Sequence, residues 1–445
     1  MPNLLYLCTM INSPKTQAEI LAKLGIAALN PMQIEAEKTL QNANDVVLLS
    51  PTGTGKTLAF LLPLIASLNA DLEEVQLLII VPSRELALQI EQVIRELGSG
   101  FKANVVYGGR SFSQDKIDLK HPPAILVGTP GRIADHLRRR TFSTQNIATL
   151  VLDEFDKSLE IGFEGEMKEI VAALHGLKNR VLTSATQGVA IPGFVGLRSP
   201  KIIDYTHQGI AELKIVTLVS QKRDKLEILV KLLERLGNQP GIVFCNFKES
   251  IDRVSDYLNE SGIKHGSFYG GLEQQDRERA LIKFRNGTHQ LLLATDLAAR
   301  GLDIPEIKFI IHYHLPLRSE EFTHRNGRTA RMHHEGTAYV LKWEKEPLPA
   351  FVDENTISDL PNAEHMPVED WTTVFISGGR RDKISKGDIA GLFLKQGNIA
   401  AAQLGSIEIK QDCAFVAVKT EVVNAAVKAV DNSRLKKKKV RISEI

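Results

Sequence analysis

The 445-residue sequence predicts three modules in a row: two α/β domains of similar size, each on a parallel sheet, and then a small α+β module. Three observations predict this. As far as Lys345, short β-branched runs alternate with amphipathic stretches, the pattern of parallel strands flanked by helices. From Trp343 to Asp370 apolar periodicity disappears among Pro347, Pro349, Pro361, Pro367 and many acidic residues, which reads as a linker or an extended segment lying on a surface. Beyond it the charge changes sign. Trp371–Ile445 carries 14 Lys and Arg against 7 Asp and Glu, whereas the rest carries 41 against 46.

The first series of strands is predicted at Asp45–Leu49, Leu77–Val81, Ala124–Val127, Thr149–Leu152 and Val181–Thr183. Arg198–Gly209 mixes Pro, His and polar residues and is expected to be a linker. A second series follows at Gly241–Cys245, Lys264–Phe268, Gln290–Ala294, Lys308–His312 and Gly336–Leu341. The last module is predicted as strand Thr373–Ser377, helix Lys386–Gln396, strands Leu404–Lys410 and Cys413–Lys419, helix Thr420–Ala429 and strand Lys438–Ser443. That βαββαβ order is the ferredoxin-like plan of many RNA-binding modules. The expected boundaries are 1–205, 206–345, a linker over 346–370, and 371–445.

Composition excludes several classes. Hydrophobic residues at 43% and charged residues at 24% are the balance of a globular chain, and 50 Gly and Pro residues are too few for a collagen-like or linker-dominated one. The longest apolar stretch, Leu58–Ala66, is short and holds Pro63, so no membrane span is expected. Leu4–Ile11 has no basic residue before it and reads poorly as a signal peptide. Cys8, Cys245 and Cys413 lie far apart, which excludes a disulfide scaffold or zinc ribbon and points to a reducing, cytoplasmic setting. His312, His314, His333 and His334 lack the spacing of a metal site. A basic module on a mildly acidic body suits a polyanionic partner, although a solvated basic face reads equally from charge alone.

Chemistry enters at Ser50-Pro51-Thr52-Gly53-Thr54-Gly55-Lys56-Thr57, between the strand Asp45–Leu49 and the helical run Leu58–Ser67. Strand, glycine-bearing loop and helix form the context of a phosphate-binding loop. Gly53 and Gly55 let backbone N–H groups turn inward, Lys56 offers its charge to the β- and γ-phosphates, and Thr57 offers a hydroxyl to Mg²⁺. Asp153-Glu154-Phe155-Asp156 ends the apolar strand before it. Carboxylates at the C-terminal end of a buried parallel strand sit where α/β clefts form. There Asp153 suits Mg²⁺ held through water, and Glu154 suits orientation or deprotonation of an attacking water.

With these motifs the sequence resembles the DEAD-box RNA helicases over about residues 20–345, and further motifs of that family occur in order. Pro31-Met32-Gln33 matches the adenine-reading motif. Pro82–Ala87, Gly108-Gly109 and Thr129–Arg132 match loops that contact RNA, and Ser184-Ala185-Thr186 matches the segment that couples hydrolysis to strand separation. In the second domain Val243–Asn246, Gln274–Arg277, Ala294–Asp296, Arg300–Asp303 and His324–Arg331 match further family segments, the last being the arginine-finger motif.

The resemblance implies two RecA-like domains, ATP and Mg²⁺ as cofactors, RNA as partner and a monomer. Its implied nucleotide site is Gln33, Thr52, Gly53, Thr54, Gly55, Lys56, Thr57 and, at the ribose, Asp303. Lys56, Asp153, Glu154, Arg328 and Arg331 would carry the chemistry, the arginines stabilising charge in the phosphoryl-transfer transition state. Arg84, Gly109, Thr129, Arg132, Arg277 and Thr295 would contact RNA through phosphate and sugar, without regard to sequence. Ser184, Thr186 and His324 would couple the two processes. Closure of the domains on ATP would bend one strand and separate a short duplex locally.

Departures from the family pattern set further expectations. Phe155 stands in place of the usual alanine and would add bulk beside Glu154, and Asn326 and Ala330 replace an isoleucine and a glycine. These leave open an ATP-gated RNA clamp with little unwinding. Thr16 and Ile26 stand where aromatic rings are common, which would weaken adenine specificity.

The last module resembles the RNA-binding domain of the DbpA subfamily at Thr373–Gly379, Gly387–Ile389 and Phe415–Val418. That resemblance implies a large-subunit ribosomal RNA hairpin near the peptidyl-transferase centre as target, and a role in ribosome assembly. Alternation would put Cys413, Phe415 and Ala417 on one sheet face and turn Ala414, Val416 and Val418 to the core. Phe415 would either stack a base or be a partly buried surface ring. Arg380, Arg381, Lys383 and the run Lys436–Lys439 would meet phosphates, the run reading alternatively as a solvated strand edge.

Overall fold

The structure is a computed structural model that describes residues 14–51, 53–185, 190–207, 213–296, 307–329, 336–363 and 370–445, apart from the side chains of Glu160 and Gln274. The chain forms two compact units. The first holds a seven-stranded sheet of β1 (Asp45–Leu49), β2 (Leu77–Ile80), β3 (Ala103–Val106), β4 (Ile125–Gly128), β5 (Thr149–Leu152), β6 (Asn179–Ser184) and β7 (Lys201–Asp204). Their order is β3-β4-β2-β5-β6-β1-β7, and every pairing is parallel. Helices cover both faces, so the strands read as continuous apolar runs. Leu77 and Ile79 of β2 enter one core and Leu78 and Ile80 the other.

The second unit contains the six-stranded parallel sheet β10-β11-β9-β12-β13-β8, formed by β8 (Leu213–Ser220), β9 (Gly241–Phe244), β10 (Gly266–Phe268), β11 (Leu291–Ala294), β12 (Phe309–His312) and β13 (Gly336–Trp343). Its C-terminal module is antiparallel, with β14 (Trp371–Ile376), β15 (Leu404–Ile409), β16 (Ala414–Lys419) and, after the hairpin of β17 (Arg434–Leu435) and β18 (Lys438–Lys439), β19 (Ile442–Glu444). The sheet order is β15-β16-β14-β19. Ala414, Val416 and Val418 enter the core with Val374, Ile389 and Phe393, as strand alternation requires.

Four segments depart from the sequence reading. The linker expected over Arg198–Gly209 contains β7, an edge strand paired with β1. Ile203 is buried while Ile202 is 64% exposed, so the apolar signal is a single residue. β3 and β8 lie outside the strands expected from the sequence, and both are terminal strands of their sheets. The strand expected at Lys438–Ser443 is two: Lys438–Lys439 closes a hairpin, and Ile442–Glu444 joins the sheet, with buried Val440 between them. The Pro-rich segment after β13 lies on the second domain, where Val352 packs with Phe322 and Val340, and Ile357 bridges Thr217.

Candidate nucleotide and RNA site

In the first unit the loops that follow β1, β2, β3, β4, β5 and β6 all emerge at the carboxyl ends of parallel strands, where open α/β sheets place their ligands. β6 lies between β1 and β5, which brings the Ser50–Thr57 loop and Asp153-Glu154 to the same edge.

The phosphate-loop candidate leads into the helix Lys56–Ala66. Gly55 has φ +88°, and a Cβ there would lie 2.6 Å from Gln33 Nε2, so a side chain would be both strained and in collision. Gln33 Nε2 donates to the Gly55 carbonyl at 3.4 Å, and Asn30 Nδ2 donates to the Thr54 carbonyl at 3.0 Å. A reciprocal cap at the start of the helix Pro31–Asn42 holds these two amides: Asn30 accepts from Gln33 N–H at 2.9 Å and Gln33 accepts from Asn30 N–H at 3.0 Å. Thr54 bonds to Ser50 at 2.7 Å, so the Ser50 hydroxyl ties the loop back on itself. Lys56 Nζ donates to the Ser50 and Pro51 carbonyls at 2.5 and 2.9 Å. Thr57 is half-buried in the same first turn, and Thr52 lies outside the described residues.

Asp153 is buried and bonded to the Thr183 hydroxyl. Burial and then the neighbouring Glu154 charge raise its pKa to about 6, against the pull of Thr183 and Lys56. Glu154 adopts the left-handed region at φ 47°, ψ 49°, a strained conformation for a side-chain-bearing residue and one associated with functional sites. Its N–H donates to Thr183 Oγ1 at 3.2 Å, while its Oε2 is buried with no hydrogen-bond partner. An acidic pair with one orphaned oxygen suits a group that receives a water or a cation. Asp156 is also buried, and its pKa is raised mainly by that burial, with Ser184 hydrogen-bonded to it.

Two departures from the family pattern turn out to be local packing. Phe155 is 3% exposed and packs in the core with Leu152, Ile170 and Leu174, so its bulk is directed into the core. Thr16 caps the helix Gln17–Leu24 in a box with Glu19.

Around the RNA candidates of this unit, Arg84 Nη1 lies 3.2 Å from where a Cβ on Gly109 would stand, which brings these two together. Thr129 opens the helix Pro130–Arg138. Arg132 is turned inward. Its guanidinium pairs with buried Asp115 at 2.7 Å and donates to the Arg110 carbonyl at 2.6 Å, so its first role is to order this corner. Ser184 ends β6 in full burial, and Thr186 lies outside the described residues.

In the second unit Arg277 is 6% exposed and stacks over Phe268 at 4.9 Å, and Thr295 is half-buried at the end of β11, its N–H donating to the Phe268 carbonyl. His324 and Arg328 sit on and just after the helix Ser319–Asn326, Arg328 at 4% exposure. Asp303, Ala330 and Arg331 lie outside the described residues, as do Cys8, His333 and His334.

The sequence reading missed the hub of this corner. Arg325, 2% exposed, pairs with Asp296 at 2.5 Å and also donates to Asn246 Oδ1 at 2.8 Å and the His314 carbonyl at 2.6 Å. One guanidinium thus fastens three of the segments matched in sequence, and its place in one of them was the only available signal. Asn326 bonds to buried His312 at 2.9 Å, and His312 stacks on Phe322 at 4.6 Å.

In the C-terminal module Arg381 is exposed and pairs with Asp412 at 2.9 Å, Lys383 is exposed at φ 59°, and Arg380 is half-buried. Lys436 pairs with Asp388 and Lys438 with Asp382, each at 2.8 Å. Of the two readings of Phe415, its burial fits the ring that is largely covered. It is only 6% exposed and stands edge-on to Phe375 at 5.7 Å, so it offers no open face on which a base could stack in this arrangement.

Residues 30–191 match the DEAD/DEAH box helicase family, residues 224–333 the helicase conserved C-terminal domain, and residues 373–444 the DbpA RNA binding domain. The ATP-dependent RNA helicase DbpA of Escherichia coli (strain K12) is 32% identical, the match covering 96% of this chain and 97% of that one. The chain belongs to the DEAD-box ATP-dependent RNA helicases, in the branch with a DbpA RNA-binding domain. The DbpA helicase of Bacillus subtilis (strain 168) is 31% identical over 90% of this chain and 91% of its own. Among solved structures, Dbp5 of S. cerevisiae bound to RNA and ADP BeF3 is 25% identical with a TM-score of 0.65, covering 74% of this helicase and 87% of Dbp5. The helicase is thus an ATP-hydrolysing, RNA-binding enzyme with two RecA-like domains and a small antiparallel module. No helix among its described residues is long and apolar enough to cross a membrane.

Proposed function

We propose that this helicase remodels large-subunit ribosomal RNA during ribosome assembly, brought to it by the C-terminal module. The reading is carried by the match of residues 373–444 to the DbpA RNA binding domain on a segment with 14 basic against 7 acidic residues. Within it the enzyme works as a cytoplasmic monomer divided at 1–205, 206–345, 346–370 and 371–445.

Gln33, Thr52–Thr57 and Asp303 hold ATP, and Lys56 takes the β- and γ-phosphates. Thr57 and, through water, Asp153 would hold Mg²⁺, which would neutralise phosphate charge. The buried Asp153 carboxylate and the orphaned Glu154 oxygen support that donor set. Glu154 orients the attacking water, and Arg328 and Arg331 stabilise the charge of the transferring phosphoryl group. Arg84, Gly109, Thr129, Arg277 and Thr295 meet the RNA backbone, while Ser184, Thr186 and His324 link hydrolysis to strand separation. Arg380, Arg381 and Lys383 meet phosphates of the ribosomal target.

The test is the ATPase rate with no RNA, with a generic duplex, and with a ribosomal fragment holding the peptidyl-transferase hairpin. Stimulation by the ribosomal fragment well above the duplex is expected. Equal stimulation by both RNAs would remove the ribosomal assignment and keep the helicase.

A further inference from the structure

The sheet of the C-terminal module has one face in its own core and one that a free RNA-binding module would leave open. That second face carries Trp371, Thr373 and Phe375 of β14, Phe415 and Ala417 of β16 and Glu408 of β15, as the strand register places them. It is largely covered: Thr373 is 0% exposed, Ala417 2% and Phe415 6%. Arg285–Thr288, the end of the helix Gln274–Arg285 of the second RecA-like domain and the turn after it, is bonded to this face.

Asn286 Nδ2 donates to Thr373 Oγ1 at 3.2 Å, Thr288 and Thr373 share a hydroxyl bond of 2.7 Å, and the Ser406 hydroxyl donates to Asn286 Oδ1. Arg285 pairs with Glu408 at 2.9 Å. Gly287, at φ +76°, lets the backbone pass Trp371, since a Cβ would stand 3.2 Å from the indole Cδ1. Asn286 and Thr373 find their side-chain partners across the two domains, so separating them would strand both.

We propose that this sheet face is a docking surface for the second RecA-like domain, and that the module meets RNA with its arginine- and lysine-bearing end instead. Arg381 and Lys383 are exposed in the turn after β14, and Lys436–Lys439 lie in the β17–β18 hairpin. The docked turn closes the helix that carries Arg277, eight residues or roughly 12 Å before Arg285 at 1.5 Å per residue. A module held this way is an arm of fixed orientation, and RNA on the arm and RNA at Arg277 share one frame. The RNA half of the inference rests on the function proposed above, whereas the docking half does not.

The experiment uses the full chain with Cys8 and Cys413 changed to serine and spin labels at Glu260→Cys and Lys428→Cys. Without RNA, the inter-label distance distribution is expected to be single and narrow. Arg285→Glu, which sets two carboxylates against each other, is expected to broaden it. Thr373→Val, which removes both hydroxyl bonds with almost no change of shape, is expected to do the same and covers the case in which the charge reversal misfolds. A broad distribution in the parent, or a narrow one kept by both variants, would overturn the docking.

The RNA half is read from the concentration of ribosomal hairpin fragment that half-stimulates the ATPase. Lys383→Glu is expected to raise it about tenfold, the factor of 1.4 kcal/mol, and Phe375→Ala by less than about twofold. The reverse order would return the sheet to RNA and overturn this half. No effect of either would discard RNA targeting by the module, with the label result unaffected.

Discussion

The hydroxyl of Thr183 is hydrogen-bonded to the carboxylate of Asp153, and the same oxygen accepts the N–H of Glu154. One side chain of β6 therefore fixes both acidic residues at the end of β5, one residue before Ser184. Thr183→Val keeps the shape and removes both bonds. Without the hydroxyl, burial drives the Asp153 carboxyl further toward its neutral form, and the strained Glu154 backbone loses its anchor. A loss of about 1 to 3 kcal/mol of transition-state stabilisation is expected, or roughly five- to 150-fold in kcat/KM for ATP. Steady-state ATPase assays with saturating RNA decide it, and a change within twofold would count against the role given to Thr183.

Phe155 makes the opposite prediction. The ring is part of the core under the site, so Phe155→Ala should leave a cavity beside Leu152 and Ile170. The expected cost is about 3 to 5 kcal/mol of first-domain stability. Turnover per folded molecule should not rise. Thermal unfolding alongside ATPase rates checks both parts; faster turnover at unchanged stability would mean that the ring obstructs the site after all.

Phe155 also shows where the sequence could be read and where it could not. Residue order revealed the phosphate loop and the acidic strand end because those motifs are local, and parallel-strand topology then delivers them to one edge. The direction of a single side chain is set by tertiary packing, so a bulky residue beside Glu154 could not be told from a bulky residue beneath it. Phe415 stayed open between two readings for the same reason: alternation placed it on the correct face, but the Arg285–Thr288 turn that meets that face lies more than a hundred residues earlier. Lys201–Asp204 was missed because an edge strand with one buried residue has almost no pattern to read.

Asn326 is another departure that the fold absorbs. Its bond to His312 lies in full burial beside Arg325, so the asparagine and the histidine work as a pair. Asn326→Ile, which restores the family residue, should strand the His312 Nε2 and destabilise the second domain by about 1 to 3 kcal/mol. The double change Asn326→Ile with His312→Leu should recover much of that loss, since removing both partners of a buried bond is close to neutral. Denaturant unfolding of the four proteins forms a double-mutant cycle, and additive losses would dissolve the pair.

The buried histidines of the second domain predict an acid-sensitive enzyme. Burial, reinforced by the Arg325 charge, lowers His312 to about 3 despite the bond to Asn326. His289 and His314 are each lowered to about 4, again first by burial and then by Lys283 and Lys225 respectively. An unfolded histidine titrates near 6.5, so as the pH falls the unfolded chain takes up protons that the folded one refuses. Their contribution is therefore complete above about pH 6.5 and drains as the solution acidifies toward pH 4 and then 3. His312 alone should cost roughly 1.5 kcal/mol between pH 6.5 and pH 5, with the other two adding in the same direction. Hydrogen exchange of Phe309–His312 in the full chain, followed from pH 7 to pH 5 with intrinsic rates corrected for pH, measures that loss of protection directly. His312→Leu should flatten the slope, and a parent protein whose protection is constant over that range would show that these imidazoles titrate normally.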